Sequence, residues 1–301
     1  MRIFEPSDGN FAHGETGVVL FNQFGATVSQ DTGRDAQVLA NSFNLPVIGV
    51  DRPGTAGFIP QGRLAAVLST PDGYLTEMTP LGKSIDRRVD SLGIANLIVT
   101  GRSAGALGAL ALTRSETVSS ISSVFAAEPV GCEQLPLEEG AKRYVDYLKQ
   151  QKKLLDDATS EELVRPLPPG LPLFQAIGRL LSIPPAMLFD RFHNQKVFAS
   201  DASRQYATYI AAYLNQLDTT LEFAEHSMVA TPEVYEHDIL PIADLRKGGA
   251  SFEVKRPKGT IHASFDNREY MNRIIEPTIA RTLARAALIQ RQSQTRKSPP
   301  S

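Results

Sequence analysis

The chain has 301 residues, 42% of them hydrophobic, one cysteine (Cys132) and a formal net charge of -2. That is enough apolar material for one large core, alone or with an insertion. Near-neutral charge excludes the broad basic field that would hold nucleic acid or an anionic membrane, and one cysteine excludes both an intramolecular disulfide framework and a multi-cysteine metal site. The opening "MRIFEPSDGNFAHG" lacks the basic start and apolar stretch of a signal peptide. No apolar run approaches the roughly 18 residues of a membrane span. A soluble, cytoplasmic protein is expected, with no nucleic-acid or membrane partner; homo-oligomerisation stays open.

"MRIFEP" has the makings of one edge strand. "TGVVLFNQFGA" is an apolar run ending at a glycine and reads as a buried strand, followed by "DTGRDAQVLANSFN", where Ala36, Val38, Leu39 and Phe43 share a helical face. "LPVIGVDRPG" is a second buried strand, stopped by Pro53-Gly54. "PLGKSIDRRVDSLG" is amphipathic, with Leu81, Ile85, Val89 and Leu92 on one side. "IANLIVTG" is a third strand, "SAGALGALALTR" a helix of small residues, and "SSVFAAEPV" a fourth strand. Strands alternating with helices imply a parallel sheet covered on both faces.

The alternation stops after Gly131. From Cys132 to Asp218 the pattern is helical or irregular, as in "GAKRYVDYLKQQKKLL", "LPLFQAIGRLL" and "SRQYATYIAAYLNQL", with a Pro-rich joint "RPLPPGLP". The expected organisation is therefore a core of residues 1–131 and 219–301 and an inserted helical cap over 132–218. "SMVATPEV" and "SFEVKRP" are strand candidates beyond it, "YMNRIIEPTIARTLARAALIQ" is a final helix, and "RQSQTRK" falls in a polar tail expected to fray.

Gly101-Arg102-Ser103-Ala104-Gly105 fits G-x-S-x-G, a pattern that chance supplies roughly 0.1 times in a chain this long. Its setting sharpens it: the apolar Leu97–Thr100 run precedes it and a helix-like run follows, the strand–turn–helix that an exposed nucleophilic serine needs. Four other stretches accompany it in order: "VVLFNQFGAT", "VDRPGTAGF", "YEHDILP" and "GTIHASF". Together they resemble the α/β-hydrolase superfamily, as its first strand with oxyanion loop, its D-x-P-G-x-G turn, its acid turn and its histidine turn. The resemblance spans Val18 to about Phe265, leaving out the insertion. It implies an α/β fold, a mostly parallel twisted sheet with helices on both faces, carrying the helical cap. A serine at the elbow is unlike the dehalogenase and epoxide-hydrolase branches, which place an aspartate there.

The resemblance implies Ser103 as nucleophile, His262 as the base that activates it, and Asp238 as the acid that orients the imidazole. Glu128, just past the fourth strand, is the rival acid, and Asp244 a more distant one. The oxyanion hole calls for backbone N–H groups, one from Ala104 and one from the loop after the first strand, with Phe24 the candidate. That loop departs from the family: Asn22-Gln23 stands where a His-Gly pair is usual, and the Gln23 side-chain amide is an alternative donor. Arg102, Phe174, Met187 and Phe189 are candidates to touch substrate, the last three from the cap, where packing onto the core is the plainer role.

Other chemistries lack support. "LGKS" at Leu81–Ser84 has Glu77 where a phosphate loop needs its first glycine. No dinucleotide fingerprint follows a strand, and no His/Cys/carboxylate spacing suggests zinc. The expectation is a serine hydrolase without cofactor or metal, taking a small-molecule carboxylic ester, thioester or lactone with an apolar portion. The same triad also serves C–C hydrolysis, lyase and perhydrolase chemistry, and a ligand receptor on the same scaffold is the non-enzymatic alternative.

Overall fold

The computed structural model describes residues 1–7, 15–22, 28–29, 31–51, 71–129, 217–227 and 250–297, with isolated helical positions at 146, 149, 150, 153 and 236. Seven strands form one sheet: β1 (Arg2–Phe4), β2 (Thr16–Phe21), β3 (Val47–Val50), β4 (Asn96–Arg102), β5 (Ile121–Ala127), β6 (Asp218–Glu222) and β7 (Phe252–Lys255), in the spatial order β1-β3-β2-β4-β5-β6-β7. Only β1 runs antiparallel, pairing Ile3 with Ile48 on the edge; the other strands are parallel. Among the described residues the helices that pack on it are α1 (Asp31–Phe43), α2 (Pro71–Ser91), α3 (Ala104–Arg114) and α4 (Arg268–Lys297).

The period-2 alternation of the strands divides their apolar side chains between two cores. Val19, Ile48, Leu97 and Val99 face α2 and α3, against Met78, Ile85, Val89 and Leu107. Val18, Val47, Ile98 and Phe125 face the other way, onto Ala36, Leu39 and Ala40 of α1 and Tyr270, Ile275 and Ile279 of α4. Each such fully buried aliphatic side chain contributes about 1.5–3 kcal/mol. The interface of α4 with β5 and β6 also carries hydroxyls. Ser123 and Thr282 meet at 2.6 Å, and Thr220 and Thr278 at 3.2 Å, all buried.

Several sequence expectations need adjusting. α2 begins at Pro71, where a missing N–H costs nothing in the first helical turn, and it continues through the exposed Pro80. The strand after the insertion is Asp218–Glu222, a Thr-rich segment at the expected end of the insertion that carries no strand signal in the sequence. Of the "SMVATPEV" stretch, Ser227 lies outside any strand, and 228–234 are outside the described residues. The "RQSQTRK" stretch is helical: α4 runs on to Lys297, with no proline between Pro277 and Pro299. Most of the expected cap, 132–218, is outside the described residues. Among the described residues, no helix is long and apolar enough to cross a membrane.

Candidate active site

Parallel strands present their carboxyl ends along one edge of the sheet, and β4 and β5 each end in a residue of chemical interest. Arg102 pairs with Ala127, so the next residues, Ser103 and Glu128, leave neighbouring strands at the same level. The Ser103 N–H donates to the Ala127 carbonyl at 2.8 Å, and the Glu128 N–H donates to the Glu222 carbonyl at 2.7 Å. Both residues have positive φ, 52° at Ser103 and 50° at Glu128. A side chain in such a conformation costs on the order of 1–3 kcal/mol, held only where the surroundings impose it.

Close packing imposes it at Ser103. A Cβ on Gly101 would stand 2.4 Å from the backbone of Gly105, and one on Gly105 would stand 2.7 Å from the carbonyl oxygens of Phe21 and Asn22. The two glycines therefore let α3 start directly above the ends of β4 and β2, and the chain turns sharply at the serine between them. Serine at a helix N-cap usually binds the helix's own N–H groups. Ser103 does not: its side chain makes no capping hydrogen bond. The residue is partly exposed at the edge of the sheet. Ala104 is the first residue of α3, and the first N–H groups of a helix have no partners inside it.

His262 opens a 3-10 turn, His262–Asp266. The turn hangs from the sheet through a parallel bridge between His226 and Ile261 and is closed by the Ser264 hydroxyl, which accepts from the Ile261 N–H at 3.0 Å. The imidazole Nδ1 lies 2.8 Å from Glu128 Oε2. A carboxylate accepts hydrogen bonds, so this contact puts the ring hydrogen on Nδ1 and leaves the Nε2 lone pair for a substrate-side proton.

Glu128 is fully buried and its carboxylate is well provided with donors. The Ala224 N–H donates to Oε1 at 2.5 Å, and the Ser227 hydroxyl donates to Oε2 at 3.0 Å. Burying a carboxylate is tolerable when such donors replace water. Ser227 and Ala224 were not anticipated from sequence. The available signal was the acid itself: Glu128 closes an apolar strand, one residue before a proline.

The carboxylate joined to the imidazole, among the described residues, is thus Glu128, the rival in the sequence reading. The single hydrogen of Nδ1 is directed at Glu128; Asp238 and Asp244 themselves lie outside the described residues. So do Gln23, Phe24, Phe174, Met187 and Phe189. Arg102 is described, and its guanidinium is committed to protein groups: the Phe265 carbonyl, Asp35 and Asp266. Behind the turn, the Phe265 ring meets Tyr270 edge-on, centroids 5.6 Å apart. The Tyr270 hydroxyl donates to the buried Glu222 at 2.9 Å. Burial pushes the Glu222 carboxyl above its usual range, and burial with the neighbouring Glu222 charge pushes the Tyr270 phenol up as well.

Solved structures with this arrangement of strands and helices are numerous. The chain superposes on a lipase-esterase related protein of Clostridium acetobutylicum with a TM-score of 0.55 and 12% identity, over 92% of this chain and 98% of that one. It superposes on the proline iminopeptidase of Mycobacterium smegmatis with a TM-score of 0.54 and 15% identity, over 95% of each. A monoacylglycerol lipase of Paleococcus ferrophilus gives 0.52 and 14%, over 94% of this chain and 97% of that one. This chain has the α/β-hydrolase fold. No protein-family model matches it, and no curated protein matches its sequence significantly.

Proposed function

We propose that this protein is a serine hydrolase whose triad is Ser103, His262 and Glu128, acting on a small-molecule carboxylic ester, thioester or lactone with an apolar portion. The observation that carries the reading is the buried Glu128 carboxylate on His262 Nδ1, set one strand from a serine in a strained elbow. Such a pair holds the neutral imidazole in the tautomer whose Nε2 accepts a proton.

The chemistry then follows in two halves. Ser103 Oγ attacks the acyl carbon as His262 Nε2 takes its proton, and Glu128 stabilises the imidazolium that forms. The Ala104 N–H and the Phe24 N–H hold the developing oxyanion. The imidazolium returns the proton to the leaving alcohol, thiol or enol, leaving an acyl-enzyme. Water, activated by the same imidazole, attacks the acyl carbon and frees Ser103. No group beyond these side chains and backbone donors is required.

The test is labelling with a fluorophosphonate, which forms a covalent phosphonyl ester only with an activated serine. Wild-type protein labels at one site; Ser103→Ala and His262→Ala both abolish labelling. Folded wild-type protein that does not react overturns the reading.

A further inference from the structure

The triad places three demands on the backbone: the elbow, the acid and the histidine turn must keep fixed distances. Glu128 meets one of them. It orients the imidazole at Nδ1, and it leaves β5 beside the elbow. It does not by itself fix how far the histidine turn stands from Ser103: the start of the turn is tied down through Ile261, and the Phe265 ring packs into the core beneath it without a directional bond. The far end of the turn, Phe265 and Asp266, is met by Arg102.

Arg102 immediately precedes Ser103, so any group its guanidinium holds is tied to the elbow through one peptide bond. Its Nη1 donates to the Phe265 carbonyl at 2.5 Å. Its Nη2 lies 3.4 Å from Asp266 Oδ1 and 3.2 Å from Asp35 Oδ2. Asp35 sits on α1, the helix that follows the expected oxyanion loop, and its other oxygen accepts from Arg268 Nε, at the first residue of α4. The Arg102 side chain is only 12% exposed, unlike an ordinary surface ion pair whose partners move freely.

We propose that Arg102 is a positioning residue of the catalytic machinery, a planar brace that sets the separation of the nucleophile elbow from the histidine turn; this rests on the hydrolase reading above. The guanidinium suits the task because its donors lie in one rigid fork, so one side chain reaches a carbonyl and two carboxylates in a fixed geometry. Lysine offers a single charged point on a flexible stem and retains part of the attraction without the geometry. The brace touches no substrate. It acts on the approach of His262 Nε2 to Ser103 Oγ, where a displacement of about 1 Å costs on the order of 100-fold in rate.

The experiment is fluorophosphonate labelling followed in time, giving a maximal rate constant, a half-saturating probe concentration and a final labelled fraction. Arg102→Met keeps the aliphatic stem and removes the fork. Its expected maximal rate constant is about 10- to 100-fold lower, with half-saturation and final labelled fraction as in wild type. Arg102→Lys recovers part of the loss. A residue needed only for folding would lower the labelled fraction and leave the rate constant of the folded molecules untouched, and that result overturns the proposal. So does a rate constant within twofold of wild type. If Arg102→Met does not fold, Arg102→Lys and Asp35→Asn decide by the same measurement: a slowed rate constant at full labelling supports the brace, and an unchanged one overturns it. A folded wild-type protein that never labels overturns the hydrolase reading itself, and the brace with it.

Discussion

Replacing Glu128 by glutamine removes a charge and almost no volume, and the contacts of the carboxylate dictate the outcome. Oε1 accepts from the Ala224 N–H, and Oε2 faces His262 Nδ1 and the Ser227 hydroxyl. An amide has one acceptor and one donor end, so it has two ways to sit. With its oxygen toward His262, its NH2 meets the Ala224 N–H, and a buried backbone donor loses its partner at a cost of about 1–3 kcal/mol. With its oxygen toward Ala224, its NH2 points at Nδ1, and the Ser227 hydroxyl can turn to accept. The second arrangement satisfies every buried group, provided that the imidazole moves its hydrogen to Nε2.

That provision removes the base. A hydrogen on Nε2 leaves no lone pair for the Ser103 proton, and no carboxylate remains to stabilise an imidazolium. A triad acid changed to its amide costs on the order of 10⁴ in rate in other serine hydrolases, equivalent to about 5.5 kcal/mol of transition-state stabilisation. The expected result for Glu128→Gln is a fluorophosphonate rate constant lower by about that factor, with a melting temperature close to wild type. Asp238→Asn, measured alongside, should react at nearly the wild-type rate. If Glu128→Gln reacts within threefold of wild type while Asp238→Asn loses most of its reactivity, the assignment of the acid is wrong.

Three further outcomes follow from packing and burial. Gly101→Ala puts a methyl group 2.4 Å from the Gly105 backbone; a destabilisation of about 1–3 kcal/mol from overpacking should appear in urea unfolding, with loss of labelling, and a neutral result would mean the elbow is not close-packed. At the α4 interface, the Thr282 hydroxyl donates to the Thr278 carbonyl and can accept from Ser123. Thr282→Val therefore strands the buried Ser123 hydroxyl, while the Thr278 carbonyl keeps its helical N–H partner, and Ser123→Ala strands nothing, so the valine variant should cost about 1–3 kcal/mol and the alanine variant about 1, read by denaturant midpoints; equal costs would count against the assigned donor directions. Glu222 is pushed above the ordinary carboxyl value of 4.5 by burial, so the native state holds its proton more tightly than the unfolded chain does. The stability this brings is present below about 4.5 and is lost as pH rises through the folded value. Glu222→Gln, whose amide oxygen still accepts from Tyr270, should raise the melting temperature at pH 7 and show that gain shrink toward pH 4; a gain independent of pH would refute the linkage.

The sheet was legible in the sequence wherever burial makes long apolar runs. Val18–Phe21, Val47–Val50 and Leu97–Thr100 are covered on both faces, and their apolar runs say so. β6 was missed because its "DTTLE" carries side chains that read as polar yet face hydroxyls and a phenol on α4, so the hydrophobic signal is absent where the strand is most buried. The start of α2 was missed for the opposite reason. Pro71-Asp72-Gly73 has the composition of a turn, and only the helix that follows decides that the proline stands in a first turn.

The turns at Ser103 and His262 were readable because each requires a local backbone event that leaves a mark: two glycines that cannot carry a Cβ, and a turn immediately after a strand-like run. The acid has no such requirement. Any carboxylate at the edge of the sheet serves if it reaches Nδ1 and finds donors for its other lone pairs. Sequence order favoured Asp238 by family position, whereas Glu128 is favoured by the Ala224 N–H and the Ser227 hydroxyl, donors that come from 96 and 99 residues away. The same argument applies to Arg102. Its place inside G-x-S-x-G suggested contact with substrate, but a β-strand sends successive side chains to opposite faces, and Arg102 turns to the α1 and α4 side, where Asp35 and Phe265 wait. A residue one position from a nucleophile is thereby tied to the machinery that supports it, and its chemistry is legible only once the strand's two faces are known.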